Sequence, residues 1–501
     1  MLQNLGMLEK DEEGSQWIAG ILKAPGRPVR VLQFGEGNFL RAFVDYMIDI
    51  ANEKADFNGN VVLVKPISFG NLDAFHQQDC RYTVLLRGLV EGKPVEMSRA
   101  ITSVSDAVDA YGEYEKYTAY ARLDTLRFIV SNTTEAGIVL DESDRLDLCP
   151  PNSYPGKLCK FLYERAEAFG YAADKGLIIL PVELIDDNGI ALKRCVKALA
   201  RLWKLGERFE TWLDEACVFT STLVDRIVAG YPRDEAEAIW QKLGYEDRLL
   251  VTGEPFPLWV IESEKDIPGE LPLPDCGLPV IFTDNQKPCK QRKVRILNGA
   301  HTSFVPAAFL CGYDYVLDAM NDSMIQTFMQ KTLYDEVIPT LSLPKEDLMA
   351  FAEAVTGRFK NPYIKHALLS ICLNSVSKWR ARCMPSLLGY VEREHKLPEH
   401  LTFSLAALMA LYHGGHLKDG ALECLRDGQP YTLRDDAAVL AFFAENDQKP
   451  AAELTRMFLS STDFFGQDLT QVPGLETAVA TALEDVLARG MRTVMTERFG
   501  G

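Results

Sequence analysis

The run Val29-Arg-Val-Leu-Gln-Phe34, followed at once by Gly35-Glu-Gly37, restricts the fold more than any other feature of the chain. β-Branched and aromatic residues ending in glycine read as a strand that turns sharply. Behind the glycines, Phe39, Leu40, Phe43, Val44, Met47 and Ile48 recur at the spacing of an amphipathic helix. Phe57-Asn-Gly-Asn60 reads as a turn and Val61-Val-Leu-Val64 as a second, buried strand. Strand, turn, helix and strand at this spacing form a βαβ unit. More strands are expected at Arg127-Phe-Ile-Val130 and Leu177-Ile-Ile-Leu180. Tyr82 to Val95, broken at Glu91-Gly-Lys-Pro94, reads as a hairpin inserted beside the sheet. Alternating strands and helices predict an α/β fold, a parallel sheet covered on both faces.

The pattern changes after the Pro-rich stretch Ile267-Pro-Gly-Glu-Leu-Pro-Leu-Pro274. Beyond about residue 286 strand signals fade, and helical periodicity runs to the end, as in Ala406-Ala-Leu-Met-Ala-Leu-Tyr412. The expected domains are therefore 1–285, α/β, and 286–501, mostly α-helical. A chain of 501 residues, 47% of them hydrophobic, can bury a core in each.

Net charge narrows the partners. At -18 the surface repels nucleic acid and anionic membrane, because both are bound through Lys and Arg on phosphates. A small anionic ligand stays possible, held by a local cluster of cations or a helix N-terminus. The start, MLQNLGMLEKDEEG, is acidic and has no long apolar core, and nothing approaches the ~20 apolar residues of a membrane span. Eleven cysteines, none paired as C-x-x-C, fit free thiols in a reducing cytoplasm. The seven histidines are scattered, and the one close pair, His413-Gly-Gly-His416, lacks neighbouring ligands; a loop role is expected and no metal.

Two segments carry chemistry. Gly35 and Gly37 stand where a phosphate-binding turn needs them, the first for the turn and the second for close approach of a pyrophosphate to the helix N-terminus. The usual third glycine is Leu40, and the second strand ends in Val64-Lys65-Pro66 rather than in the carboxylate that holds a ribose. Lys65 either favours the 2′-phosphate of NADP or points to solvent. The second segment is Lys287-Pro-Cys-Lys-Gln-Arg-Lys293-Val-Arg-Ile-Leu-Asn298-Gly-Ala-His301. Its cations Lys287, Lys290, Arg292, Lys293 and Arg295 read either as a solvated edge or as a site. A Lys among cations and partly desolvated has a lowered pKa, suited to passing a proton to a carbonyl oxygen. Asn298 can donate to that oxygen and His301 to an adjacent hydroxyl. On an ideal helix Lys293 lies about 140° from Asn298 and about 80° from His301. Taken by itself the pattern favours a capping Asn298 and a satisfied core His301.

Taken together, Gly35-Glu-Gly37-Asn38-Phe39-Leu40-Arg41-Ala42 and Lys293, Asn298 and His301 resemble the G-x-G-x-F-x-R-A and K-x-x-x-x-N-x-x-H motifs of the mannitol dehydrogenase family of long-chain polyol-specific dehydrogenases. Thr134-Glu135, Val224-Asp225-Arg226-Ile227, Trp259-Val-Ile-Glu262 and Arg358-Phe-Lys-Asn-Pro362 extend the resemblance along most of the chain. It implies an N-terminal Rossmann-type domain, a helical C-terminal domain, a cleft between them and no zinc. It implies NAD as cofactor, held by Gly35, Gly37, Asn38, Phe39, Arg41, Glu135 and Asp225. It also implies Lys293 as general acid/base, with Asn298 and His301 orienting the substrate. Val31-Leu-Gln-Phe-Gly-Glu-Gly-Asn-Phe-Leu-Arg-Ala-Phe-Val-Asp45 is most similar to members that reduce the keto group of a hexuronate. Such a sugar acid needs a cation, for which Lys378 and Arg382, following the Arg358 motif, are candidates. Polyol-oxidising relatives carry a second oxyanion asparagine where this chain has Leu184; Asn188 is the alternative donor. A sibling activity on another ketouronate or a polyol, and a dinucleotide sensor without turnover, are the competing readings.

Overall fold

The computed structural model describes residues 26–90, 92–134 and 136–500. They divide into two compact units. One comprises the described residues up to Gly88 together with Pro94–Gln286; the other comprises Leu89–Lys93 and the described chain from Lys287 onward.

The first unit is built on the strands β1 (Val29–Phe34), β2 (Asn60–Lys65), β3 (Tyr82–Val90), β4 (Lys93–Ile101), β5 (Val104–Asp109), β6 (Phe128–Ser131), β7 (Ile178–Pro181) and β8 (Val218–Phe219). Six of these form one sheet in the order β5-β2-β1-β6-β7-β8. Every neighbouring pair is parallel. The chain first steps outward from β1 to β2 and β5, then returns to β6 on the other side of β1. That reversal opens a crevice at the carboxyl ends of β1 and β6, where doubly wound sheets bind their ligands.

Alternation decides which face each side chain joins. Val31, Val61, Leu63, Phe128 and Val130 enter one apolar core. Leu32, Phe34, Val62, Val64 and Ile129 enter the core on the opposite face. Both faces are covered, so the strands read as unbroken apolar runs. The helix after β1 runs through Asn38–Leu40, Arg41–Asp45 and Tyr46–Lys54 (α1), its middle piece a π-helical turn. Helices Tyr154–Ala168 (α2) and Asn188–Leu202 (α3) cover the other face.

Smaller sheets flank this core. The hairpin is longer than its sequence pattern suggests, since β4 continues to Ile101. It joins a four-stranded sheet with Val228–Gly230 and Val251–Gly253. A three-stranded sheet contains Ser221–Asp225, Leu258–Glu262 and Val280–Thr283.

The second unit is mostly helical. Its helix Glu399–Tyr412 is apolar on every face and buried along nearly all its length. Beside the helices of this mostly helical unit stands a three-stranded meander, His416–Lys418, Ala421–Arg426 and Gln429–Leu433. Two tight turns make it: Asp419-Gly420 and Asp427-Gly428, all four residues at positive φ. Asp-Gly at both central positions is the signature of the primed turns that join hairpin strands. His413 lies in the turn before this meander, paired with Asp447, whereas His416, expected in a loop, opens its first strand and pairs with Glu423 on the next. Among the described residues no helix is long and apolar enough to cross a membrane.

Candidate active site

In the first unit the turn after β1 is a built cradle. Gly35 sits at φ 118, and a Cβ there would lie 3.2 Å from Leu40 Cδ1 and 3.3 Å from the Asn132 carbonyl. Leu40, in place of a third glycine, is itself buried and forms the wall that Gly35 turns against. Gly37 differs: a Cβ there would meet nothing within 4 Å. Nothing inside the protein requires a glycine at that point, so the open space suits a group from outside. No side chain caps α1 at Gly37, which leaves its first N–H groups to bind a phosphate.

Arg41 is buried, and donates to the Leu249 carbonyl and, at 2.6 Å, to Asn38 Oδ1. It therefore acts on the turn through the exposed Asn38. Phe39 stacks on Phe43, the ring centroids 4.9 Å apart. Arg226 donates to the Ala42 carbonyl at 2.5 Å and fixes α1 from the side. Its neighbour Asp225 is buried at the end of the strand Ser221–Asp225. On the β6 side, buried Glu183 accepts from Ser131 Oγ, Thr133 N and Thr133 Oγ1 at 3.1, 3.0 and 2.9 Å. Thr134 follows at φ 76, strained for a β-branched residue. Glu135 lies outside the described residues.

Two sequence expectations are corrected here. Lys65 neither points to solvent nor offers a free ammonium. It is 1% exposed, bridges Asp109 Oδ2 at 3.1 Å, and donates to the Ile67 and Phe69 carbonyls at 2.8 and 3.4 Å. An ammonium has three protons, and these acceptors occupy all three. Asn188 is not an open oxyanion donor. Its amide nitrogen faces the carbonyls of Pro181, Glu183 and Thr222, and its oxygen accepts from Gly189 and Thr222. Leu184 is exposed. A cavity of about 500 Å³ opens where β2 and β6 end, lined by Pro66, Ile67, Thr133, Val139, Leu140 and Lys157 among others. Burial holds the Lys157 ammonium down, at about 8.

In the second unit Lys293–Asn298 is a π-helical turn, continued by the helix Gly299–Leu310 (α4). The Gly299 N–H reaches the Val294 carbonyl, five residues back. This wide turn replaces the ideal winding that would set Lys293 and Asn298 about 140° apart. Asn298 has helical dihedrals and caps nothing. Half-buried Lys293 opens the turn. Arg295 faces inward, donating to Ser386 at 2.5 Å and Thr340 at 2.7 Å, and burial lowers its pKa to about 10. The basic run is thus partly internal.

His301 lies in the first turn of α4. Its ring stacks on Phe359 at 3.9 Å and meets His366 edge-on at 5.3 Å. Burial holds the imidazole neutral, well below its usual pKa, helped by His366, Arg358, Arg382 and Lys378. It is buried but not satisfied: Nε2 has no partner among the described residues. Arg382 Nη1 donates to Thr302 Oγ1 at 3.2 Å, beside His301. A side chain at Gly299 would approach the Arg382 carbonyl to 3.3 Å, which is how closely these segments pack. Lys378, one turn before Arg382 on the helix Ser375–Arg382, donates to the Ile371 carbonyl at 3.0 Å. The fold therefore gathers a neutral imidazole and several cations around one point, an arrangement suited to a polyhydroxy anion.

Residues 29–274 match the mannitol dehydrogenase Rossmann domain, and residues 285–487 match the mannitol dehydrogenase C-terminal domain. The chain belongs to the mannitol dehydrogenase family. Within it, the chain is 46% identical over 480 residues to the altronate oxidoreductase of Yersinia enterocolitica, covering 94% of this chain and 97% of that one. It is 48% identical to that of an Escherichia coli O7:K1 strain, over 93% and 96% of the two chains. Its fold is that of a D-sorbitol dehydrogenase (TM-score 0.78, 20% identity, 99% and 100% covered). A Pseudomonas fluorescens mannitol 2-dehydrogenase, solved as a ternary complex with NAD and D-mannitol, also shares it (TM-score 0.68, 22% identity, 94% of each chain).

Sequence reasoning missed two members of the second-unit cluster of this mannitol dehydrogenase relative. Arg358 opens the Arg358-Phe-Lys-Asn-Pro362 motif, whose sequence alone assigns it no role. His366 carried no signal, because it lies far from His301 in sequence and only folding places their rings in contact.

Proposed function

We propose that this chain interconverts D-tagaturonate and D-altronate with NADH and NAD, as an altronate oxidoreductase. The observation that carries the reading is the cluster around His301. Hydroxyls of a sugar chain suit the unpartnered Nε2, and a carboxylate suits Arg382, Lys378 and Arg358. The similarity to altronate oxidoreductases over almost the whole chain supports the same substrate.

The dinucleotide, when bound along the Gly35–Gly37 turn, supplies or accepts the hydride. In the reducing direction Lys293 donates a proton to the carbonyl oxygen, and Asn298 hydrogen-bonds that oxygen as charge develops. His301 orients a neighbouring hydroxyl while remaining neutral. In the oxidising direction the neutral amine of Lys293 removes the hydroxyl proton. Arg382 and Lys378 hold the carboxylate, so neutral ketoses bind without that anchor. Eleven free thiols support a reducing compartment such as the cytoplasm.

Parallel assays of tagaturonate, fructuronate and fructose with NADH test the substrate. We expect kcat/KM for tagaturonate to exceed that for fructose at least about 100-fold, the scale of a lost charged anchor. A preference for fructose, or equal turnover of fructuronate, sinks the assignment. Lys293→Ala should keep NADH affinity and lose at least about 100-fold in kcat.

A further inference from the structure

The end of β2 is where a Rossmann-type unit meets the adenosine ribose, usually with a carboxylate. This chain ends β2 in Lys65, yet the ammonium is sealed: 1% exposed, bridged to Asp109, and held by the Ile67 and Phe69 carbonyls. Asp109 ends β5, the next strand outward, and keeps 29% of its side chain exposed. Its Oδ1 accepts from Tyr111 N at 2.9 Å, which fixes the carboxylate in place. Glu36, between the two glycines of the phosphate turn, is half-buried and interacts electrostatically with both Lys65 and Asp109. Three adjacent strands, β1, β2 and β5, thus end in one charge cluster. Arg41, whose charge Glu36 also feels, is buried beneath Asn38 and the Leu249 carbonyl, with Asp45 and Asp247 as its acidic neighbours.

We propose that Glu36, Lys65 and Asp109 form the dinucleotide-selecting device of this chain, with Asp109 and Glu36 repelling a 2′-phosphate and Lys65 serving as their buried counter-ion. This rests on the dinucleotide reading above. Two carboxylates and one ammonium leave the cluster a net negative charge. A 2′-phosphate brought there meets two acids and a cation with no proton to give. An unphosphorylated ribose meets carboxylate oxygens that accept from hydroxyls. Lys65 has a positioning role: through Ile67 and Phe69 it shapes the segment whose Pro66 and Ile67 wall the 500 Å³ cavity. A lysine in this position, which by sequence either favours NADP or points to solvent, thereby works for NAD.

Titration of the apoenzyme with NADH and with NADPH, followed by nicotinamide fluorescence, tests this without turnover. We expect wild type to bind NADH at least about tenfold more tightly, a difference of about 1.4 kcal/mol. Asp109→Asn and Glu36→Gln should each tighten NADPH several-fold and weaken NADH, whose ribose hydroxyls lose a carboxylate acceptor. Because the preference is electrostatic, it should narrow as ionic strength rises. Equal wild-type affinities, or variants that leave the ratio unchanged, overturn the proposal while the dinucleotide reading stands. Binding of neither nucleotide overturns both. Glu36→Gln lies in the turn rather than in the buried ion pair, so it informs even if Asp109→Asn fails to fold.

Discussion

Asp45 and His301 show how burial sets the behaviour of single residues in this chain. Asp45 is wholly buried in α1. Burial raises its carboxyl to about 7, although Tyr82 and Gln33 donate to it at 2.7 and 3.4 Å. A folded pKa above the unfolded one gives stability that is present at low pH and lost as pH rises through about 7. Asp45→Asn removes that loss. Its melting temperature relative to wild type should therefore be more favourable at pH 8 than at pH 5; an offset independent of pH would contradict the assignment. His301 has the opposite sign. Its folded pKa lies below the unfolded value of about 6.5, so its contribution is intact above that pH and lost as pH falls below it. Imidazole NMR should show His301 neutral from about pH 8 down past pH 6, and His301→Gln should flatten the acid limb of stability. A His301 resonance titrating near 6.5 would remove the argument that it orients substrate as a neutral base.

Among the elements, the π-helical turn Lys293–Asn298 has the clearest consequence. One extra residue in a helical turn changes the relative direction of everything on either side of it. Inserting an alanine after Val294 should add about 100° of helical rotation and turn Lys293 away from Asn298 and His301. The expected outcome is unchanged helical circular dichroism and NADH affinity, with kcat down at least about 100-fold, as for a misplaced catalytic group. Near-normal turnover would mean that the wide turn has no part in positioning. This is also where sequence legibility stopped. The strand Val29–Phe34 and its glycine turn were readable because local pattern and packing agree there. The wide turn was not, since nothing in Lys-Val-Arg-Ile-Leu-Asn separates five-residue from four-residue hydrogen bonding. The meander was legible in principle, through two Asp-Gly pairs, but short strands among long apolar helices carry little periodicity. Lys65 misled because its sequence neighbours say nothing of Asp109, which reaches it from another strand.

At the scale of the whole molecule, two compact units make two-state unfolding an unsafe assumption. A dinucleotide held by the first unit stabilises that unit by about 2.7 kcal/mol at a hundredfold excess over Kd. Calorimetry with NADH should therefore raise the transition of the first unit by more than that of the second. An equal rise in both would place nucleotide binding, or the folding unit, differently. The -18 net charge makes this arrangement matter for substrate. A chain that repels anions overall can hold a sugar acid only where folding concentrates cations, as it does around His301.

By itself the sequence determined the βαβ opening, the change from α/β to helical organisation, and the motif residues that mark the family, because each is written in neighbouring residues and short-range spacing. The tertiary structure alone decided that Lys65 is sealed by Asp109, that Asn188 is saturated, that His366 meets His301, and that Arg382 is held on its neighbour Thr302. Those outcomes depend on which distant segments share a desolvated space, and burial and charge act through distance in the fold, not along the chain.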